Sequence, residues 1–189
     1  EIKEGRYKDR PVKVDALRVD LPGRGMVERG VIIAGGASGV DAYTISRIAE
    51  ALSWPILADP LSGVRSDVRS VANFDVMLRH EEFAKGHVPQ AVLRFGRPPA
   101  SKVLSTWVKN SGAPVIQVGG PGVIDPDHNV AVHCSVADVD AAISSGFSGA
   151  TGSRWAESWR ASWTDVDAIA ERTLSELLLA PELSEPTVA

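Results

Sequence analysis

Apolar residues along this chain follow two rhythms. Five short, nearly continuous apolar runs occur at Gly30–Ala34, residues 55–58, Ala91–Phe95, residues 114–118 and Val130–Cys134. They are too brief for helices and rich in β-branched residues, so they predict strands covered on both faces. Between them the spacing changes to three and four. Ala42, Ile45, Ile48, Ala49 and Leu52 make one helical stripe, and Val103, Leu104, Trp107 and Val108 make another over Lys102–Ser111, ending at Ser111-Gly112 where glycine suits a left-handed cap. Ser135 reads as the cap of a further helix, with Asp138 in a capping-box position and Ala141, Ala142 and Ile143 behind it. The pattern weakens from Asp59 to Gly86, where Phe74, Met77, Leu78, Glu81 and Phe83 fit one or two short helices. Trp155, Trp159 and Trp163 then stand four residues apart, a ridge along one helix face that reads as packing before it reads as a ligand platform. Thr164 looks like a fresh N-cap, followed by the stripe Val166, Ile169, Ala170, Leu174 and Leu177, so this region predicts one or two helices.

Strands that alternate with helices imply parallel pairing through right-handed crossovers. The predicted architecture is therefore a doubly wound α/β domain, a mainly parallel sheet of five to six strands with helices on both faces. At 189 residues one domain with a real core is expected. Residues 1–28 read as a polar connector in which Val12-Lys13-Val14-Asp15-Ala16-Leu17 offers an edge strand; 29–150 form the central domain, 151–182 a helical extension, and 183–189 the start of another segment. Composition narrows the function. A net charge of −4, with basic residues scattered among acids, argues against nucleic acid. No apolar run is long enough to cross a bilayer and the polar opening is no signal peptide, so no membrane partner and a cytoplasmic setting are expected. Cys134 is the sole cysteine and reads as a small packing residue.

The candidate chemistry gathers after the third long strand. Arg94 and Arg97 flank Gly96, a Pro98-Pro99 corner follows, and Ser101 caps a helix whose first residue is Lys102. A lysine in a first turn opposes the helix dipole, and three cations beside free N–H groups would welcome a carboxylate or phosphate. The competing reading is three solvated basic side chains around a loop. Elsewhere Gly35-Gly36-Ala37-Ser38-Gly39, with Asp59 some twenty residues on, invites a dinucleotide reading, but the glycine spacing departs from Gly-x-Gly-x-x-Gly and a structural turn fits better. His80, Glu81, Glu82 and His87 lack the spacing of a zinc helix and read as a solvated face. Asp125-Pro126-Asp127-His128 reads first as a turn, with a metal as the lesser alternative.

The segments Arg29–Gly35, Trp54–Ser62, Phe74–Arg79 and Val92–Gly96 through Ser101-Lys102 resemble, in order and with similar gaps, the central domain of the MenD family. The resemblance runs from about Glu28 to the end. It implies a Rossmann-like middle domain of a thiamine-diphosphate-dependent 2-succinyl-5-enolpyruvyl-6-hydroxy-3-cyclohexene-1-carboxylate synthase of menaquinone biosynthesis, a transferase that decarboxylates 2-oxoglutarate and adds the succinyl unit to isochorismate. It further implies that thiamine diphosphate and Mg²⁺ are held by flanking domains, that this segment carries no catalytic, cofactor or metal residue and is inactive alone, and that the parent is a homotetramer or homodimer. Lys102 would reach the active site and bind a substrate carboxylate, with Ser101, Arg97 and Arg94 as companion substrate-binding residues. Some family members place Arg directly after that lysine, where this chain has Val103. Two other readings compete: a free-standing FAD- or NAD-binding module, and a regulatory site for an acidic metabolite built from Arg65, Arg69, Arg79, Arg94 and Arg97.

Overall fold

The computed structural model describes residues 27–120, 122–147 and 154–178, except for the side chain of Trp155. The proposed edge strand at 12–17, the tail 183–189 and the first tryptophan of the ridge lie outside the described residues. Six strands, β1 (Gly30–Ala34), β2 (Ile56–Ala58), β3 (Ser70–Val71), β4 (Ala91–Phe95), β5 (Val115–Val118) and β6 (Val130–Cys134), form one parallel sheet in the order β3-β2-β1-β4-β5-β6. The helices are α1 (Ala42–Leu52), α2 (Phe74–Leu78), α3 (Glu81–Gly86), α4 (Lys102–Ser111), α5 (Val136–Ser144) and α6 (Arg154–Leu178). The chain builds outward from β1 to β3, returns beside β1 with β4, and builds outward again. That reversal defines the doubly wound fold and puts its switch point between β1 and β4.

Alternation along the central strands sorts side chains onto two cores. Ile32 and Ala34 of β1 with Leu93 and Phe95 of β4 join Ile45, Ile48, Ala49 and Leu52 of α1 and Val139 of α5 on one face. Val31, Ile33 and Val92 face Phe74, Met77 and Leu78 of α2, Leu104, Trp107 and Val108 of α4, and Trp159 and Trp163 of α6 on the other. Burial on both faces is why these strands read as unbroken apolar runs. The caps are local: the Asp41 carboxylate accepts the Thr44 amide at 2.9 Å, and Ser135 with Asp138 closes a complete capping box on α5. Trp54 is fully buried and donates its indole N–H to the Val27 carbonyl at 3.2 Å. Its ring lies where a Cβ on Gly30 would fall, 1.9 Å away, so strand β1 can begin only with glycine.

Three expectations change. The two-residue strand β3 escaped the sequence pattern, because Ser70-Val71 is too short to show a period. Thr164 starts no helix. It lies inside the continuous α6, where its hydroxyl donates to the Ala161 carbonyl at 3.1 Å, the mid-helix alternative to capping for a threonine. His87 does not belong to a solvated face: it is half-buried, stacks on Phe83 with ring centroids 3.7 Å apart, and its ring nitrogens contact the Phe83 carbonyl and the Ser162 hydroxyl, each at 2.8 Å. The tryptophan ridge does pack as expected. Trp163 is wholly buried against Phe83, Trp107 and Trp159, and Trp159 donates to the Gly30 carbonyl at 3.1 Å, so the first half of α6 is part of the core. Farther along, Ile169, Leu177 and Leu178 are exposed.

Candidate functional site

The β4–α4 corner is shaped by backbone contact with the β1–α1 turn. Gly35 donates its N–H to the Phe95 carbonyl and Arg97 donates to the Gly36 carbonyl, both at 2.9 Å. Gly96 sits at φ +75°, and a Cβ there would lie 2.5 Å from the Gly36 oxygen. A Cβ on Gly35 would fall 1.8 Å from the Arg97 oxygen. Both glycines are therefore required by the close approach of two loops, which meet at the switch point where a doubly wound fold would seat a dinucleotide. Asp59, the partner such a ligand would need, caps its own loop by accepting the Leu61 amide at 2.8 Å.

The four proposed substrate-binding residues divide into two pairs. Arg94 is buried on β4 beside its register partner Gln117 of β5, with its guanidinium donating to the Gln117 side-chain oxygen at 2.9 Å and to the Ile124 carbonyl. Burial lowers its pKa, and the nearby Asp125 and Asp127 oppose that shift. Gln117 in turn accepts the Ile124 amide at 2.9 Å and donates to the Gly122 carbonyl at 2.7 Å, so the pair fastens the β5–β6 loop onto the sheet. Ser101 caps α4: its oxygen accepts the Leu104 amide at 3.0 Å and its proton goes to the Asp75 carboxylate at 2.5 Å. Arg97 and Lys102 are different. Both are exposed, and neither has an ion-pair partner within 4 Å among the described residues. Lys102 stands on the rim of a surface groove of about 730 Å³ between α2–α3 and α4, with Leu78, Ala84, Val88, Val103 and Trp107 along its lining.

Asp75 is bonded to this corner, and the sequence did not single it out. Hydrogen bonding from Ser101 first, and the Arg79 guanidinium as well, hold its carboxyl below the usual carboxylate range. The Arg79 contact, 2.9 Å and four residues on, was legible as a helical pair; the Ser101 contact, across 26 residues, was not. Gln117 left a trace as the one polar residue inside the apolar run of β5. The other candidates resolve into local roles. Asp125 accepts the Asn129 and Val130 amides at 2.9 and 3.1 Å, the turn-forming behaviour expected of it. Of the five arginines read as an alternative regulatory cluster, Arg65 bonds the Ala72 carbonyl, Arg69 lies by Glu50 and Asp67, Arg79 pairs with Asp75, and Arg94 is interior, so four serve separate partners. Among the described residues no three His, Cys, Asp or Glu gather as a metal site.

Comparison with known proteins fits this geometry. A family model described as "Middle domain of thiamine pyrophosphate" matches residues 23–188, and the chain belongs to that family of enzyme middle domains. Three relatives named 2-succinyl-5-enolpyruvyl-6-hydroxy-3-cyclohexene-1-carboxylate synthase make the assignment more particular. The Myxococcus xanthus protein is 34% identical over 85% of this chain and 28% of its own length; that of Salinibacter ruber is 33% identical over 94% and 31%; that of Geobacillus thermodenitrificans is 32% identical over 100% and 32%. The resemblance to the central domain of the MenD family read from the sequence is thus borne out. The chain spans about a third of the length of these relatives.

Proposed function

We propose that this chain is the middle domain of a thiamine-diphosphate-dependent carboligase of menaquinone biosynthesis, which decarboxylates 2-oxoglutarate and adds the resulting succinyl unit to isochorismate. The names of the relatives support the reaction, and the family model supports the cofactor class. In this reading residues 1–28 lead in from a preceding domain and 183–189 lead into a following one. The flanking domains hold thiamine diphosphate and Mg²⁺ and supply the chemistry of the cofactor. The protein works in the cytoplasm as a homodimer or homotetramer, and this domain by itself contacts substrate and supports the site without catalysing the reaction.

One observation carries the role of this domain: the Lys102 ammonium is exposed at the C-terminal edge of the sheet with no acidic partner among the described residues, although its position in the first turn of α4 leaves it opposed to the helix dipole. A substrate carboxylate would relieve that opposition. Lys102 is the contact group, Arg97 its nearest cationic companion in sequence, and Ser101 and Arg94 fix the corner from which both project. In the full-length protein Lys102→Ala is expected to raise the KM for a dicarboxylate substrate by about tenfold or more, the effect of losing one hydrogen bond to a charged group. Steady-state kinetics check this, and an unchanged KM would remove the role.

A further inference from the structure

The Asp75 carboxylate joins two helices that are distant in sequence. One oxygen accepts the Ser101 hydroxyl proton at 2.5 Å and the other accepts Arg79 Nε–H at 2.9 Å. A serine hydroxyl has a single proton. With that proton given to Asp75, the oxygen lone pairs are turned toward the Leu104 amide, which they accept at 3.0 Å. Asp75 thus sets the rotamer of the cap that begins α4, and the residue after the cap is Lys102.

The other capped helices manage without such help. Asp41 caps α1 and is itself bonded by Thr44 of the same first turn; Ser135 caps α5 and exchanges bonds with Asp138 three residues on; His80 accepts the Phe83 amide at the start of α3. Only at α4, among these four, is the capping side chain held by a carboxylate from another helix. The rest of α4 does not need that support, since Leu104, Trp107 and Val108 anchor it in the core. What Asp75 fixes is the first turn, the part that carries the exposed amine.

We infer that Asp75 is a positioning residue: through the Ser101 hydroxyl it holds the first turn of α4 so that the Lys102 amine meets the substrate carboxylate. This rests on the reading of Lys102 given above, and a double-mutant cycle in the full-length protein separates the two. Asp75→Ala is expected to raise the KM for the dicarboxylate about fivefold, as loss of a cap's support implies, with kcat changed less than about twofold. Asp75→Asn keeps an acceptor for Ser101 and is expected to restore most of the affinity. In a Lys102→Ala background, Asp75→Ala should add nothing, because the group it positions is gone. A KM that rises by the same factor in both backgrounds, or no rise at all from Asp75→Ala while Lys102→Ala has its effect, overturns the positioning role alone. No effect from Lys102→Ala overturns the underlying reading and this one with it. Should Asp75→Ala fail to fold, Ser101→Ala tests the same link, with a similar KM increase expected and an unchanged KM overturning it.

Discussion

Gly96 and Gly39 both hold a positive φ, +75° and +69°, yet their surroundings differ completely. A Cβ at Gly39 would meet nothing within 4 Å, whereas one at Gly96 would press on the Gly36 oxygen at 2.5 Å and on the Ser38 nitrogen at 3.0 Å. Gly39→Ala should therefore cost only the left-handed backbone penalty, about 1 kcal/mol. Gly96→Ala adds a clash with backbone that cannot yield, and about 3 kcal/mol or more is expected from denaturant midpoints. Equal costs would show that the two loops do not touch. Cys134 offers a second measurement at this scale. Burial, and then the Asp138 charge, push its thiol up to about 11 from an ordinary 9.0. At pH 8 that leaves roughly a hundredfold less thiolate, so labelling by a thiol reagent should be slower by about that factor in the folded chain than after unfolding.

At the scale of elements, the contact between α3 and α6 contains a titrating group. His87 stacks on Phe83 and lies near Trp159 and Trp163, and burial lowers its pKa although the Phe83 carbonyl works the other way. The unfolded chain takes up the proton near the ordinary value of about 6.5, while the folded chain holds out to lower pH. Over that window the unfolded state binds more protons. The contribution to stability is thus complete above the unfolded value and is lost as pH falls through it toward the folded one. Melting temperatures between pH 7.5 and 5.5 should fall more steeply for the native chain than for His87→Phe, which keeps a ring in the stack and removes the titration; parallel curves would refute the assignment. The opposite end of α6 shows why an apolar stripe alone does not decide burial. Its first half packs in the core beside Trp107, but Ile169, Leu177 and Leu178 are exposed and belong to neither core among the described residues.

For the whole molecule, strand order dictates where chemistry can occur. A sheet ordered β3-β2-β1-β4-β5-β6 places its switch point between β1 and β4, the usual seat of a nucleotide, and here two glycine turns meet there and hydrogen-bond to each other. Added NAD, FAD or ADP is accordingly expected to move the melting temperature by less than about 1 °C. A saturable rise would revive the reading of a nucleotide-binding module. Two exposed basic residues stand beside that junction, Arg97 in the β4–α4 loop itself and Lys102 at the start of α4.

Much of the fold was legible in the sequence because its signals are local. Four-residue and five-residue apolar runs, a three-and-four spacing, Ser101 and Ser135 as caps and Gly112 as a left-handed stop each depend on a dozen residues or fewer, and each took its place in the structure. The corner at residues 94–102 was legible for the same reason. What could not be read was which side chains of that corner remain free. Arg94 and Lys102 are alike as sequence, both basic and eight residues apart. Only the pairing of β4 with β5 places Gln117 against Arg94 and turns it inward, and only the packing of α2 on α4 brings Asp75 to Ser101. Periodicity and capping come from neighbours along the chain, so the sequence determines them; the fate of a polar group depends on a partner brought from far along the chain by the crossovers of the sheet, and that is decided when the layers pack.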